Sequence, residues 1–239
     1  MIYFASDVHL GLRSGDPRER EERFVSWLKS LRKPDTEALY LLGDIWDFWY
    51  EYRDVIPREG IRVVAAIVGL LDSGVKVYYF PGNHDVWLYS FWQSLGVRVL
   101  SQPHRCTLGG KRFLLGHGDA LGGASRGYRF MLKIFNSRIC RALFSSLHPR
   151  LAFGLANCLS ARNRGRHTSY KFRGKDEPLY KFCAQSIAAE PADFCIFGHF
   201  HDSVDLPLEG GSRLIVLKDW LDAGTPFASW DGQTLLVSR

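Results

Sequence analysis

Five short motifs between Asp7 and His201 each follow an apolar run with residue types that bind metal ions. They are Asp7-x-His9, Gly43-Asp44, Gly82-Asn83-His84-Asp85, Gly116-His117-Gly118-Asp119 and Gly198-His199-x-His201. A lone Asp-x-His is ordinary loop chemistry, but five such ends in one chain are a weak case for chance. They constrain the fold, because five segment ends must converge at one place to act together. Glycine before a ligand lets the backbone turn tightly and lets an ion sit close. In an extended segment residues i and i+2 point the same way, so Asp7 with His9, and His199 with His201, are each expected to grip one ion. Carboxylate, imidazole and amide oxygen together suit Mn, Zn or Fe better than Ca or Mg alone. His104, His148 and His167 stand outside these motifs.

The apolar runs read as strands. Residues 2–5 (IYFA), 38–42 (ALYLL) and 75–80 (VKVYYF) alternate with two helical patterns. The first, 17–33, places Phe24, Trp27, Leu28 and Leu31 at i, i+3, i+4 and i+7; the second, 60–73, stops at Gly74. That order predicts βαβ units around a parallel or mixed sheet. Further strands are expected near 97–100, 104–108, 112–116, 193–197, 203–208, 213–217, 226–230 and 234–238, with a helix at 178–189. Residues 125–161 lose the strand rhythm and carry helical stripes: Phe130, Ile134 and Phe135, then Ile139, Leu143 and Phe144, then a helix over 148–161. Residues 162–176 are polar and basic, a loop. The expected fold class is α/β: two sheets in a single domain spanning 1–239, with a helical, basic and apolar insertion at 121–176.

Charge separates this insertion from the rest. The formal net charge is +6, yet residues 126–181 hold 13 Lys and Arg against Asp176 and Glu177 alone. The remainder is acidic. The longest apolar run, Val63 to Leu71, falls short of the ~20 residues of a membrane span. The N-terminal residues MIYFASD show no basic region followed by an apolar stretch, so no signal peptide is expected. Five cysteines (Cys106, Cys140, Cys158, Cys183, Cys195), odd in number and never spaced C-x-x-C, argue against a disulfide framework and a cysteine zinc site. Reduced thiols in a cytoplasm are the simplest reading.

The ordered series D-x-H, G-D, G-N-H-D, H-G-D and G-H-x-H, from 7 to 201, resembles the calcineurin-like metallophosphoesterases. The resemblance implies a four-layer α/β/β/α sandwich with two metals at the strand ends. It implies that Asp7, His9, Asp44 and His201 hold the first ion, and that Asp44, Asn83, His117 and His199 hold the second, with Asp44 bridging. It further implies that His84 is no ligand but meets the phosphate, stabilises developing charge or protonates the leaving oxygen. Asp85 is expected to orient His84, and Asp119 a nearby ligand. Two such ions would activate a water for in-line attack on phosphorus.

The substrate must be read from the insertion. Dense Arg and Lys interleaved with Phe, Leu, Ile and Met fit a solvated basic face, a nucleic-acid surface or a lipid-facing cap. A closer resemblance, to the UDP-2,3-diacylglucosamine diphosphatase branch of lipid A biosynthesis, favours the third. It rests on SDVHLG (6–11), GDIWDFWYEY (43–52), GNHDVW (82–87), LGHGDALG (115–122), RGYRF (126–130), LHPRLAFGLAN (147–157) and FGHFH (197–201). It implies hydrolysis at the α phosphorus to UMP and an acylated glucosamine 1-phosphate, Mn as the metal, and a cap for two acyl chains. The alternative is a general phosphoesterase or nucleotide pyrophosphatase on the same metal centre. Arg126, Tyr128, Arg129, Arg162, Asn163 and Arg164, with Asn83 and His84, are the expected substrate contacts, since arginine pairs with phosphate through two parallel donors. Trp46, Trp49 and Tyr50 are expected to pack. The chain departs from the branch at Ser125, where an acidic residue is common, and at Lys218, where a glycine is. The expected setting is cytoplasmic, peripheral to the inner membrane, with an acylated UDP-sugar as partner, no nucleic acid, and a monomer or weak homo-oligomer.

Overall fold

Each strand that ends in a ligand motif alternates its side chains between two apolar faces, and this dictates the layering. The computed structural model describes residues 1–154 and 170–238, Asn136 by its backbone alone. In β1 (Ile2–Ala5) and β2 (Ala38–Leu41), Ile2, Phe4, Ala38 and Tyr40 face one way and Ala5, Leu39 and Leu41 the other. These strands pair in parallel with each other, and β2 with β3 (Lys76–Tyr79). With β4 (Arg98–Val99), β10 (Phe227–Trp230) and β11 (Leu235–Ser238) they form a six-stranded sheet in the order β11-β10-β1-β2-β3-β4. The second sheet orders β5 (His104–Leu108), β6 (Lys111–Leu115), β7 (Phe194–Phe197), β9 (Arg213–Val216) and β8 (Val204–Pro207). Within it β6, β7 and β9 run parallel.

Helix α1 (Pro17–Ser30) begins with proline at its first turn and with Asp16 accepting from the Arg18 and Glu19 amides. It lies with α2 (Ile61–Asp72) against the outer face of the first sheet, where Phe24, Leu28, Val63 and Ile67 meet Leu39, Leu41 and Val77. Phe4, Tyr40, Phe113, Ile196 and Ile215 fill the space between the sheets. Helix α6 (Pro178–Ala189) covers the second sheet, with Leu179, Cys183 and Ile187 on Leu114, Cys195 and Val216. The result is the α/β/β/α order that the family resemblance implied. Among the described residues the expected elements are present to within a few residues. The short helix α3 (Phe91–Ser94) was not expected; four residues carry no helical period.

Between β6 and α6 the chain forms α4 (Arg126–Asn136), α5 (Arg138–Ser145) and helical turns at 149–154. Ser125 caps α4, its hydroxyl accepting from the Tyr128 amide, which gives this departure from the branch pattern a structural task. Both helices lay Phe135 and Phe144 on Trp87, and Phe144 also packs on Tyr50 and Phe48. Trp46, Trp49 and Tyr50 are buried packing residues. The opposite side leaves Phe130, Ile134, Ile139, Leu143, Leu147 and Leu151 exposed. Part of the helix expected at 148–161, and of the loop expected at 162–176, lies outside the described residues. Among the described residues no helix is long and apolar enough to cross a membrane.

Candidate metal centre

Parallel pairing puts the carboxyl ends of β1, β2 and β3 on one side of the first sheet and those of β6 and β7 on the matching side of the second. Ligand residues follow all five. Their backbones are cross-tied: the Asp7 amide donates to Gly43 O (3.1 Å), the His9 amide to Asp44 O (3.0 Å) and the Gly198 amide to His117 O (2.9 Å).

Three overlapping groups result: Asp7, His9 and His201; His9, Asp44 and His84; Asp44, His117 and His199. In each, one potential ligand atom per residue lies within 4.8 Å of the others. The alignment of Asp7 with His9 does not come from an extended segment. Asp7, His9, Asp44, His199 and His201 all have left-handed backbone, with φ of 55°, 51°, 53°, 73° and 54°. Such conformations are strained for residues with side chains and concentrate at functional sites.

The donors are aimed inward. The His117 Nδ1 donates to Leu42 O (2.8 Å), and its Nε2 lies 3.3 Å from Asp44 Oδ2 and 3.2 Å from Asn83 Oδ1. His201 Nδ1 donates to Asp219 Oδ2 (2.9 Å), and its Nε2 faces His9 Nε2 at 3.1 Å. Each carboxylate has one oxygen held by a backbone amide and turns the other toward the centre. Asp7 Oδ2 accepts from the His199 amide (2.9 Å), while buried Asp7 Oδ1 has no hydrogen-bond partner and lies 3.5 Å from His201 Nε2. Asp44 Oδ1 accepts from the His84 amide (2.9 Å), and Asp44 Oδ2 faces His9 and His117. Converging imidazole nitrogens and carboxylate oxygens, with Asp7 Oδ1 orphaned, are what a cation among them satisfies, so the residues fit a pair of divalent metals. Glycine is required at Gly43, where φ is +88° and a Cβ would come 2.6 Å from His117 Nδ1.

Burial holds His9 well below the usual imidazole range, and burial with the His117 charge lowers His199 to about 4. Both are therefore neutral, as ligands must be. Burial also works against charge at His117, but adjacent Asp44 outweighs it and raises that histidine. Burial disfavours the Asp44 carboxylate, yet His117 and His84 hold it well below the usual range.

His84 stands over this centre, its ring edge-on to His9 at 5.0 Å. Its orienting partner is not Asp85. His84 Nδ1 lies 3.0 Å from Asp47 O and 3.4 Å from Asp47 Oδ1. Asp85 is fully buried and accepts from the amides of Asp44 (3.1 Å), Ile45 (2.8 Å), Trp46 (3.3 Å) and Gly82 (2.8 Å), and from the Tyr79 hydroxyl. It fastens the β2 loop to the β3 loop. In this turn consecutive side chains point apart, so adjacency in sequence misleads. Asp119 likewise holds no ligand: it accepts from Tyr128 Oη (2.9 Å) and from Gln102 Nε2. Backbone carbonyl Leu42 O takes the role expected of it at His117.

Asp47 and Asp219 were missed by sequence reasoning. Asp47 also approaches His9 Nδ1 at 3.5 Å, and its spacing after Asp44 was the available signal. Asp219 sits on a loop held by Arg23, whose Nη2 donates to Trp220 O and Asp222 O. Of the expected substrate contacts, Asn83 and His84 lie in the centre. Arg126 and Arg129 are exposed on α4, while the Tyr128 hydroxyl is committed to Asp119. Arg162, Asn163 and Arg164 lie outside the described residues.

A family profile described as calcineurin-like phosphoesterase matches residues 1–203. A Porphyromonas gingivalis protein called UDP-2,3-diacylglucosamine hydrolase is 37% identical, covering 99% of this chain and 96% of that one. Proteins of the same name from Stenotrophomonas maltophilia (31%, covering 93% and 92%) and Aeromonas hydrophila (29%, covering 98% and 96%) are also similar. Among solved structures, an archaeal phosphodiesterase superposes with a TM-score of 0.50 at 10% identity, covering 99% of this chain and 97% of that one, which speaks to the fold alone.

Proposed function

The chain belongs to the calcineurin-like phosphoesterase family, and from that premise we propose that it hydrolyses the diphosphate of UDP-2,3-diacylglucosamine to UMP and 2,3-diacylglucosamine 1-phosphate. The observation that carries this reading is the end-to-end similarity to the Porphyromonas gingivalis relative, which takes in the α4–α5 segment as well as the metal loops. Asp7, His9, Asp44 and His201 would hold one ion and Asp44, Asn83, His117 and His199 the other, with Mn the favoured metal. When bound, two such ions lower the pKa of water and neutralise phosphate charge.

The protein's own groups do the rest. Asp47 holds His84 by its Nδ1, which would leave Nε2 to donate to the phosphoryl oxygens or to protonate the departing oxygen. Water oxygen joins the α phosphorus, the anhydride P–O bond breaks, and the acylated sugar phosphate leaves with the electron pair. Asn83 adds an amide beside the reacting phosphate. Arg126 and Arg129, exposed at the start of α4, would meet the diphosphate, and arginine suits it by donating two parallel bonds.

The residues of 121–176 act as a cap. Phe130, Ile134, Ile139 and Leu143 are exposed among Arg126, Arg129, Lys133 and Arg138, a face that suits acyl chains and an anionic bilayer. Each basic residue near such a surface contributes about 1 kcal/mol. The enzyme would therefore work in the cytoplasm, at the inner membrane.

The test is UMP release with Mn2+ from acylated and unacylated UDP-sugars, run in 18O water. Release that requires the acyl chains, with label in UMP, supports the reading. Equal turnover of UDP-N-acetylglucosamine refutes it in favour of a general pyrophosphatase. Polar replacement of Phe130 and Ile134 should weaken binding to vesicles containing anionic phospholipid.

A further inference from the structure

Both ends of the segment between β6 and α6 are fastened next to histidines of the metal centre. At its start, Tyr128 on α4 donates its hydroxyl to Asp119 Oδ2 at 2.9 Å, two residues after His117. At its return, the Phe172 amide donates to Asp202 Oδ2 at 3.1 Å, one residue after His201, and the Tyr170 and Phe172 rings lie on Phe200. The exposed apolar face of α4 thus sits on a helix whose first turn is tied to the His117 loop.

That loop depends on side-chain support. Gly118 and Ala120 both have positive φ, 112° and 60°, so the turn after His117 contains two left-handed positions within three residues. Asp119 stands between them and is only 6% exposed. One of its oxygens accepts from Gln102 Nε2, and Gln102 Oε1 in turn accepts from the Gly118 amide at 2.7 Å. Its other oxygen has Tyr128 as its partner. A carboxylate so placed fixes the turn only while both oxygens are engaged.

We propose that Tyr128 is a positioning residue for the metal centre: its hydroxyl, through Asp119, holds the turn that presents His117, and so couples the seating of α4 to metal retention. It is not a contact of the reacting phosphate. The inference rests on the hydrolase reading only for the existence of the metal site.

Tyr128→Phe removes the hydroxyl and keeps the ring. Mn2+ affinity of the chelator-stripped full-length protein, titrated without substrate, is expected to fall about 3–10-fold, below the roughly 10–100-fold of a group that touches a ligand directly. Asp119→Ala should weaken Mn2+ by at least as much, and Tyr128→Phe should then add nothing, because the two act as one unit. Tyr180→Phe, which loses a hydroxyl bonded to Pro207 O and to no residue of the metal centre, should bind Mn2+ like the unaltered protein. Unaltered Mn2+ affinity in Tyr128→Phe, or additive losses in the double variant, overturns the proposal. A protein that binds Mn2+ yet leaves the acylated UDP-sugar intact would instead refute the functional reading alone.

Discussion

Replacing Asp85 with asparagine separates two roles for that residue. If it oriented His84, the substitution would impair turnover and leave the fold alone. The structure assigns it to the backbone instead. Oδ1 accepts from the Asp44 and Gly82 amides, and Oδ2 from the Ile45 and Trp46 amides and the Tyr79 hydroxyl. An asparagine has one carbonyl oxygen. Whichever way its amide turns, an NH2 group faces at least two buried backbone N–H donors. Two buried donors left unmet cost about 2–6 kcal/mol. Burial, and then the Asp44 charge, push the Asp85 carboxyl up to about 6, so removing the charge returns part of that cost. A net loss of about 3 kcal/mol is expected, still within the stability of an ordinary domain. For a chain of this length that lowers the thermal midpoint by roughly 6–12 °C. The assay is thermal unfolding in chelator, where metal affinity cannot contribute. A midpoint within about 2 °C of the unaltered protein, together with lost turnover, would refute the backbone role.

Asp219→Asn keeps the shape of the His201 partner and removes its charge; Mn2+ affinity by calorimetry should fall about 10–100-fold with little change in the chelated protein's melting. Gly43→Ala drives a methyl into His117 at a left-handed position, so metal binding should be abolished and the midpoint lowered in melting scans with and without Mn2+. Glu177 is buried, which opposes its charge, but hydrogen bonds from Arg173 and Tyr170 outweigh burial and lower its pKa. Its contribution is therefore complete above the unfolded value near 4.5 and is lost as pH falls through the lower folded value. The midpoint difference between the unaltered protein and Glu177→Gln should shrink on acidification from pH 7 to about pH 3.

The strands were legible because each apolar run is short, alternates and stops at glycine with a polar residue. Ile2 and Phe4 against Tyr3 and Ala5 already encode two apolar faces; that one meets helices and the other a second sheet was implied by the family resemblance alone. The metal donors were legible as residue types at strand ends. Their mutual aim was not, because it depends on left-handed turns at Asp7, His9, Asp44, His199 and His201 that residue types alone do not announce. The supporting carboxylates were hidden for another reason. Asp47, Asp85 and Asp219 act on groups set by tertiary approach, and nothing local distinguishes Asp219, beside Lys218 and Trp220, from a surface aspartate.

The distribution of strain ties these observations together. Among the described residues six non-glycine positions have positive φ, and five are donors of the metal centre. Each such position costs on the order of 1–3 kcal/mol, so glycine there would favour folding. The side chains persist where the surroundings over-determine the turn: cross-tied amides between the β1 and β2 loops, Asp85 beneath β2 and β3, and Asp119 after His117. Among the buried carboxylates of the acidic body, Asp7 and Asp44 face the centre as cation donors, and Asp85 and Asp119 hold the loops that carry such donors. The basic charge lies in the other segment, whose first helix is fastened to one of those carboxylates through Tyr128. On the proposed role of Tyr128, a substrate that meets the basic segment would bear on the geometry of the metal centre through the Tyr128–Asp119 contact, one of two fastenings that lie beside the His117 and His201 loops.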